Sequence, residues 1–369
     1  MVEIPFLKKL PSLPNLFLNI FASKPAHVVG IDIGTYSTKV IQLRYEKERG
    51  ILETYGELLN EVYFKGAQPE NDILHRSDEE VASLLKDLLR EANVTTKEGV
   101  MAVPASSSFI TTIAFPPVPS RELNESIPYE ARRYVPIPIS EVELDWEVLG
   151  MNESREKTEV LLTAVPKEII EKFKRVAILS GINLRALEVE TFSTARSLGG
   201  GDLLPTGFIN FGHRTTTLAI TDRGKVRVSH SFPKGSQELT KALERGLGIS
   251  HERAEALKRE TGISEKMEEK EITSIVTPFV ETLLTEVERL ISVYNRKAPR
   301  SVQKINLTGG GSNLKGLVEY TVSKFGIEVT RGNPFSRTVA PAFMQPILRE
   351  LGPSFSPAVG LALHELTAR

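Results

Sequence analysis

The stretch IDIGTYSTKV, from Ile31 to Val40, and the stretch INFGHRTTTL, from Ile209 to Leu218, are two versions of one arrangement placed about half a chain apart. Each runs from an apolar strand to a polar residue (Asp32 or Asn210), then to a glycine two positions on (Gly34 or Gly212). A turn and a hydroxyl pair follow (Ser37 and Thr38, or Thr215 and Thr216), and then a second apolar strand. Two unrelated hairpins would share a turn glycine and some threonine. Sharing the polar residue and the hydroxyl pair in register points to a common job. A tight glycine turn lets backbone N–H groups converge on an anionic oxygen with no side chain in the way, and hydroxyls add donors. Asp32 suits a site where a mostly hydrated Mg²⁺ bridges protein and phosphates. Lys39 supplies the point charge that a polyphosphate needs.

A third glycine motif, LTGGGSNLKGL, follows a strand and is expected to open a helix. Gly309, Gly310, Gly311 and Ser312 would let a ligand approach the backbone beside a helix N-terminus, which favours anions and polar ligand edges. It is neither a dinucleotide fingerprint nor a Walker loop, because G-x-G-x-x-G after the first strand and GK[ST] are both missing.

Working outward, 369 residues exceed what one core usually holds, so two domains or one two-lobed domain is expected. The net charge of -1 gives no reason to expect a nucleic-acid partner. The lack of cysteine removes disulfides, thiolate metal sites and thiol nucleophiles, and fits a reducing compartment. The six histidines are scattered. No apolar run approaches the ~20 residues needed to cross a bilayer. The start of the chain has lysines followed by apolar residues, as a signal peptide would, but Pro11 and Pro14 interrupt it. It reads as a tail over 1–26, with a short amphipathic segment from Leu13 to Ala22 that could touch membrane or a partner.

From His27 the pattern is strand, turn, strand, with a third strand in ILETYGELLNEVY and an amphipathic helix from Ser77 to Glu91. GVMAVPASSSFITTIAFPPVP reads as two short strands around a serine-rich turn, before a helix from about Arg121 to Tyr134. Two more strand patterns follow, LDWEVLG and TEVLLTAVP. A helix from Lys167 to Leu179 stops at Gly181, and a strand runs from Asn183 to Val189. Gly199 to Gly201 with Pro205 mark a change of lobe. The region from Ser236 to Arg296 is mostly helical and highly charged, and PAVGLALHEL closes the chain as an apolar helix.

With the three glycine motifs in this order, the chain resembles the actin-like ATPase superfamily, and within it the PilM family of the type IV pilus machinery. The resemblance runs from about Val28 to the end. It is carried by VGIDIGTYSTKVIQL, by VPASSSFITTIAFPPVPSRELNESIPYEARRYVPIPISEVELDWEVLG, by VLLTAVPKEIIEKFKRVAILSGI and by LGISHERAEALKRETG. It implies an α/β, actin-like ATPase fold of two lobes with an inserted SHS2-like subdomain IC. Subdomain IA would span 27–98 with 188–205 and 340–369, IC 99–187, IIA 206–235 with 301–339, and IIB 236–300.

The resemblance also implies ATP and Mg²⁺ as ligands. The first phosphate would meet Asp32, Gly34, Thr35, Tyr36, Ser37 and Lys39, and the second Asn210, Gly212, His213, Arg214 and Thr215. Adenosine would meet Gly309 to Ser312, with Glu255 and Lys258 of AEALKRETG on ribose and adenine. Asp32 would hold the metal through water. Glu190 is the candidate for orienting the attacking water, and together with Asp32 and Asn210 would form the catalytic set. PilM relatives bind a cytoplasmic N-terminal peptide of the inner-membrane protein PilN in the groove between IA and IC. The resemblance therefore implies a PilN-like partner, other pilus-machinery partners and recruitment to the inner face of the cytoplasmic membrane through a partner. LALHELTAR ends too soon for a C-terminal membrane helix of the FtsA kind.

The chain departs from the superfamily at Asn210, where actin-like ATPases usually carry Asp. Asparagine keeps the shape and the hydrogen bonds but loses charge, which implies weak ATPase activity at most. Three alternatives follow: an FtsA-like membrane-recruited polymer, a nucleotide-binding scaffold with little or no hydrolysis, and a small-molecule kinase. The last lacks a D-Q-[GS]-like signature.

Overall fold

A computed structural model describes residues 25–64, 73–117, 119–151 and 156–367. The expected tail, including Leu13 to Ala22, lies outside the described residues apart from its last two positions. The strands in chain order are β1 (His27–Ile33), β2 (Ser37–Glu46), β3 (Arg49–Leu59), β4 (Glu98–Val103), β5 (Phe109–Phe115), β6 (Val142–Met151) and β7 (Thr158–Pro166). They continue as β8 (Asn183–Val189), β9 (Thr206–Phe211), β10 (Thr216–Asp222), β11 (Lys225–Phe232), β12 (Lys304–Thr308), β13 (Glu328–Arg331) and β14 (Thr338–Val339).

Two of the three sheets repeat one another. The first is ordered β14-β3-β2-β1-β4-β8 and the second β11-β10-β9-β12-β13. In both, a central strand (β1 or β9) pairs antiparallel with its hairpin partner and parallel with a strand from later in the chain. The repeat seen in the two ten-residue stretches therefore extends to whole lobes. Central strands flanked in this way are covered on both faces, which is why HVVGIDI and TGFINF are almost continuously buried rather than alternating.

In the first lobe the helix Asp78–Glu91 places Val81, Leu84, Leu85 and Leu88 against Val29, Ile31 and Met101. Ser77 and Glu80 close its first turn as a reciprocal capping box. The helix Lys167–Ser180 adds Ile170, Phe173 and Val176 to that core and ends at Gly181, whose φ of +77° is the left-handed cap the sequence suggests. In the second lobe the helices Ser236–Leu247, His251–Glu260 and Lys270–Lys297 pack Leu239, Leu243, Ala254, Val280, Leu284 and Val287 on Ile209, Leu218 and Ile305.

The third sheet, β5-β7-β6, carries the helix Ser120–Ala131 over Ile113, Val160 and Leu162. Three sequence expectations change here. β4 and β8 fall inside the 99–187 range expected for the inserted subdomain, yet they pair with each other and with β1 in the first lobe. The reason is the apolar run GVMAV, which needs cover on both faces and finds it in a parallel sheet. The insertion narrows to the segment between Pro104 and Pro166. Packing onto the first lobe also resumes earlier than 340, since Phe335 sits with Leu43, Leu52 and Phe355. The expected helix to Tyr134 ends at Ala131.

Candidate functional site

The two matched turns have the same hydrogen bond. Gly34 N–H donates to Ser37 O at 3.1 Å, and Gly212 N–H donates to Thr215 O at 3.0 Å. A Cβ on either glycine would stand 2.9 or 2.7 Å from that carbonyl, so both turns require glycine. Across the hairpins Asp32 faces Lys39, and Asn210 faces Thr217, again in equivalent register. The first turn is held from beneath by Asn60, which sequence reasoning missed. Its backbone N–H reaches Tyr36 O (3.0 Å), its amide donates to Gly34 O (2.8 Å) and its Oδ1 accepts from Thr38 (3.2 Å). The second turn rests on the start of the helix Ser236–Leu247, where Ser236 and Gln237 N–H groups donate to Gly212 O and His213 O, each at 2.9 Å.

Lys39 does not reach out as a free cation. Its ammonium donates to Ser37 Oγ (2.6 Å) and lies 3.5 Å from Glu57, which also accepts from Ser37 Oγ (2.6 Å). Asp32 is buried, and burial raises its carboxyl pKa, with Lys39 opposing and Glu57 adding to the rise. Glu190 is the first residue of the helix Glu190–Gly199, and its carboxylate accepts from Ala105 N–H at 3.1 Å. Burial, reinforced by Asp32, pushes Glu190 up to about 7. Asp32, Glu190 and Glu57 thus share one cation, Lys39. That excess of carboxylate fits a hydrated Mg²⁺, which would be held at Asp32 and would supply the missing positive charge. Glu190, Thr191 and Thr194 line a small cavity at the base of the cleft together with Asn210 and Thr217 of the second lobe.

The raised Glu190 carboxyl gives a pH expectation. An ordinary carboxyl in the unfolded chain titrates near ~4.3. The group's contribution to stability is whole below that value and is lost as pH climbs towards about 7, by up to ~1.4 kcal/mol per pH unit. Glu190→Gln is expected to stabilise the ligand-free protein at pH 8 and to flatten this slope. Urea midpoints at pH 5.5 and 8 check it, and equal slopes in wild type and variant would contradict it.

The third motif packs on the second turn. Gly309 adopts φ +80°, and a Cβ there would stand 2.6 Å from Phe211 O and would also overlap Asn210 Oδ1. A Cβ on Gly311 would stand 2.7 Å from the Phe211 ring, whereas Gly310 has open space beside it. Ser312 Oγ donates to Gly309 O at 2.7 Å. The helix expected to open at these glycines starts only at Leu317, and a single 3-10 turn, Gly310–Asn313, stands in between. The anion-favouring helix terminus is thus displaced from the glycines.

Glu255 and Lys258 are paired at 2.5 Å, and both bond Thr240, at 2.7 and 2.9 Å. Burial alone would raise Glu255, but Lys258 and the hydrogen bonds around it hold it at about 2. Arg259 on the same helix donates to Glu255 (2.7 Å) and to the Tyr36 hydroxyl (3.1 Å). Tyr36 also meets the His213 ring across the cleft, with centroids 4.9 Å apart. Burial, with Lys258 and Arg214 nearby, brings His213 down to about 4, so it is neutral. The structure therefore gathers Asp32, Lys39, Glu190, Asn210 and the glycine turns around one cleft, with Glu255 and Lys258 beside His213.

A family model described as type IV pilus assembly protein PilM matches residues 30–366. Cell division protein FtsA of Enterococcus hirae is 23% identical over 349 residues, covering 83% of this chain and 78% of that protein. Among solved structures, the PilM-PilN type IV pilus biogenesis complex matches with a TM-score of 0.79 at 23% identity, over 93% of this chain and 99% of the other. MreB5 of Spiroplasma citri bound to AMPPNP matches at 0.55 and 14% identity, over 94% and 97%. The fold is the actin-like ATPase fold. Among the described residues no helix is long and apolar enough to cross a membrane.

Proposed function

Since the chain belongs to the family of the type IV pilus assembly protein PilM, we propose that it is a cytoplasmic, ATP-binding adaptor of that machinery, recruited to the inner membrane by a PilN-like peptide. The observation that carries the nucleotide half is the pair of hairpin turns, equal in hydrogen bonding and register, that face each other across one cleft. Backbone donors on the two turns would hold the phosphates, Asp32 a hydrated Mg²⁺, and the Glu255–Lys258 pair with Gly309 to Ser312 the nucleoside. When bound, the metal would neutralise phosphate charge. The second reading, a scaffold with little turnover, is favoured by one residue: Asn210 occupies the register position of Asp32 without its charge.

The partner half is supported by the likeness to the PilM chain solved with PilN. The expected occupant is an extended peptide with an I-N-L-L-P-like apolar core in the groove between the first lobe and the inserted subdomain. Other pilus-machinery proteins would then meet the protein at the membrane.

Titration with ATP and ADP, with and without Mg²⁺, tests the nucleotide half. Wild type should bind with an affinity that rises with Mg²⁺, and Lys39→Ala should weaken binding about tenfold, because the carboxylates of Asp32, Glu57 and Glu190 would then face the phosphates without the cation that offsets them. No binding by wild type would overturn it. Failure of the peptide to bind, or to slow amide exchange along the groove, would overturn the partner half.

A further inference from the structure

Among the described residues several contacts join the lobes, Thr308 with Pro353 O (2.7 Å) and Ser356 Oγ (2.6 Å) among them, and three bear on the cleft. At the base Thr191 Oγ1 meets Ser229 Oγ at 3.1 Å, and at the side Thr112 of the inserted sheet donates to Arg227 O at 2.9 Å. The third place is the mouth, directly over the phosphate turns, where Tyr36 of the first lobe meets His213 and Arg259 of the second. We propose that Tyr36 and Arg259 form a latch that closes the cleft over bound nucleotide and sets the rate at which it leaves. This rests on the nucleotide reading above.

Each part of the latch is held by bonds within its own lobe. Tyr36 sits on a turn that Asn60 anchors through three hydrogen bonds. Arg259 is held at Nε by Glu255, and Glu255 by Lys258 and Thr240. His213 is fixed through its own carbonyl and presents a neutral ring to Tyr36. Pre-positioned groups lose little conformational freedom on meeting, so a contact that would be weak between two free surface side chains has more effect here. The latch also shares its helix with Glu255 and Lys258, so a ligand held by that pair would hold Arg259 against Tyr36. An isolated surface hydrogen bond would have no such link to the ligand.

The test uses two readouts. Release of a fluorescent ADP analogue should quicken about fivefold in Tyr36→Phe and in Arg259→Ala, each of which removes a hydrogen bond of ~1 kcal/mol, and more in Tyr36→Ala, which also removes the ring contact. Tyr36→Phe combined with Arg259→Ala should release no faster than the single variants. The second readout needs no nucleotide. The chain has no cysteine of its own, so Val62→Cys and Arg253→Cys, one on each lobe and both at exposed positions, can carry spin labels. Tyr36→Ala should shift the interlabel distances of the ligand-free protein towards longer values. Unchanged distances, or unchanged release, would overturn the latch. A shift in distances with no nucleotide binding by wild type would overturn the nucleotide reading and leave the latch standing as a contact that holds the lobes together.

Discussion

Gly360→Ala should cost about 3 kcal/mol or more of folding stability, enough to remove much of a typical domain's margin. Alanine is the better helix former by ~1 kcal/mol, so propensity alone predicts the opposite sign. Sterics win here because the helix Ser356–Ala362 has backbone against it on two sides. A Cβ on Gly360 would overlap the Ser193 carbonyl of the helix Glu190–Gly199. On the other side, a Cβ on Gly30 of β1 would overlap the Ala358 carbonyl. The buried helix, which also accepts from Arg196 through Gly360 O at 2.9 Å, cannot retreat from one neighbour without striking the other. Because β1 carries Asp32 next to its last residue and the helix Glu190–Gly199 begins at Glu190, the strain should reach the site as well. Urea denaturation followed by circular dichroism measures the loss. A change below ~1 kcal/mol would mean that the two helices can separate freely.

The paired turns were legible because their chemistry is local: strand, glycine, hydroxyls and strand all lie within ten residues of each other. The lobe layout followed, since helical spacing in Asp78–Glu91 and the cap at Gly181 are also local signals. What lay hidden depends on contacts between distant segments. PAVGLAL reads as an ordinary apolar helix, and nothing in it discloses that Gly360 meets Ser193. Asn60 looks like the end of a strand, although it braces a turn more than twenty residues upstream. Tyr36 and Arg259, 223 residues apart, gave no sign of touching. The insertion boundary was misread because strands of two different sheets, β4 and β5, follow one another with a short serine-rich turn between them. The helix start after the three glycines was misplaced because the following 3-10 turn has no apolar periodicity of its own.

Asp32→Asn should lower Mg²⁺-dependent nucleotide affinity about a hundredfold, while Asn210→Asp should raise that affinity and any turnover. The asymmetry follows from what surrounds the two positions. Asp32 is the carboxylate aligned with the first hairpin turn, and its nearby cation, Lys39, is already engaged by Ser37 and Glu57. Its removal takes away the group best placed to hold hydrated metal, and backbone donors cannot replace a charge. Asn210 faces Thr217, with its Oδ1 against Gly309, so its shape is in use while charge is not. Adding a carboxylate there, close to Glu190 across the base of the cleft, would raise like-charge repulsion in the ligand-free protein. Bound metal would relieve it. Asn210→Asp is therefore expected to melt lower than wild type without Mg-nucleotide and to recover most of the difference with it. Equal affinity of wild type and Asp32→Asn for Mg-nucleotide would remove Asp32 from the metal site. Unchanged turnover in Asn210→Asp, despite recovered stability, would place the block on hydrolysis elsewhere, with Glu190 as the next residue to test.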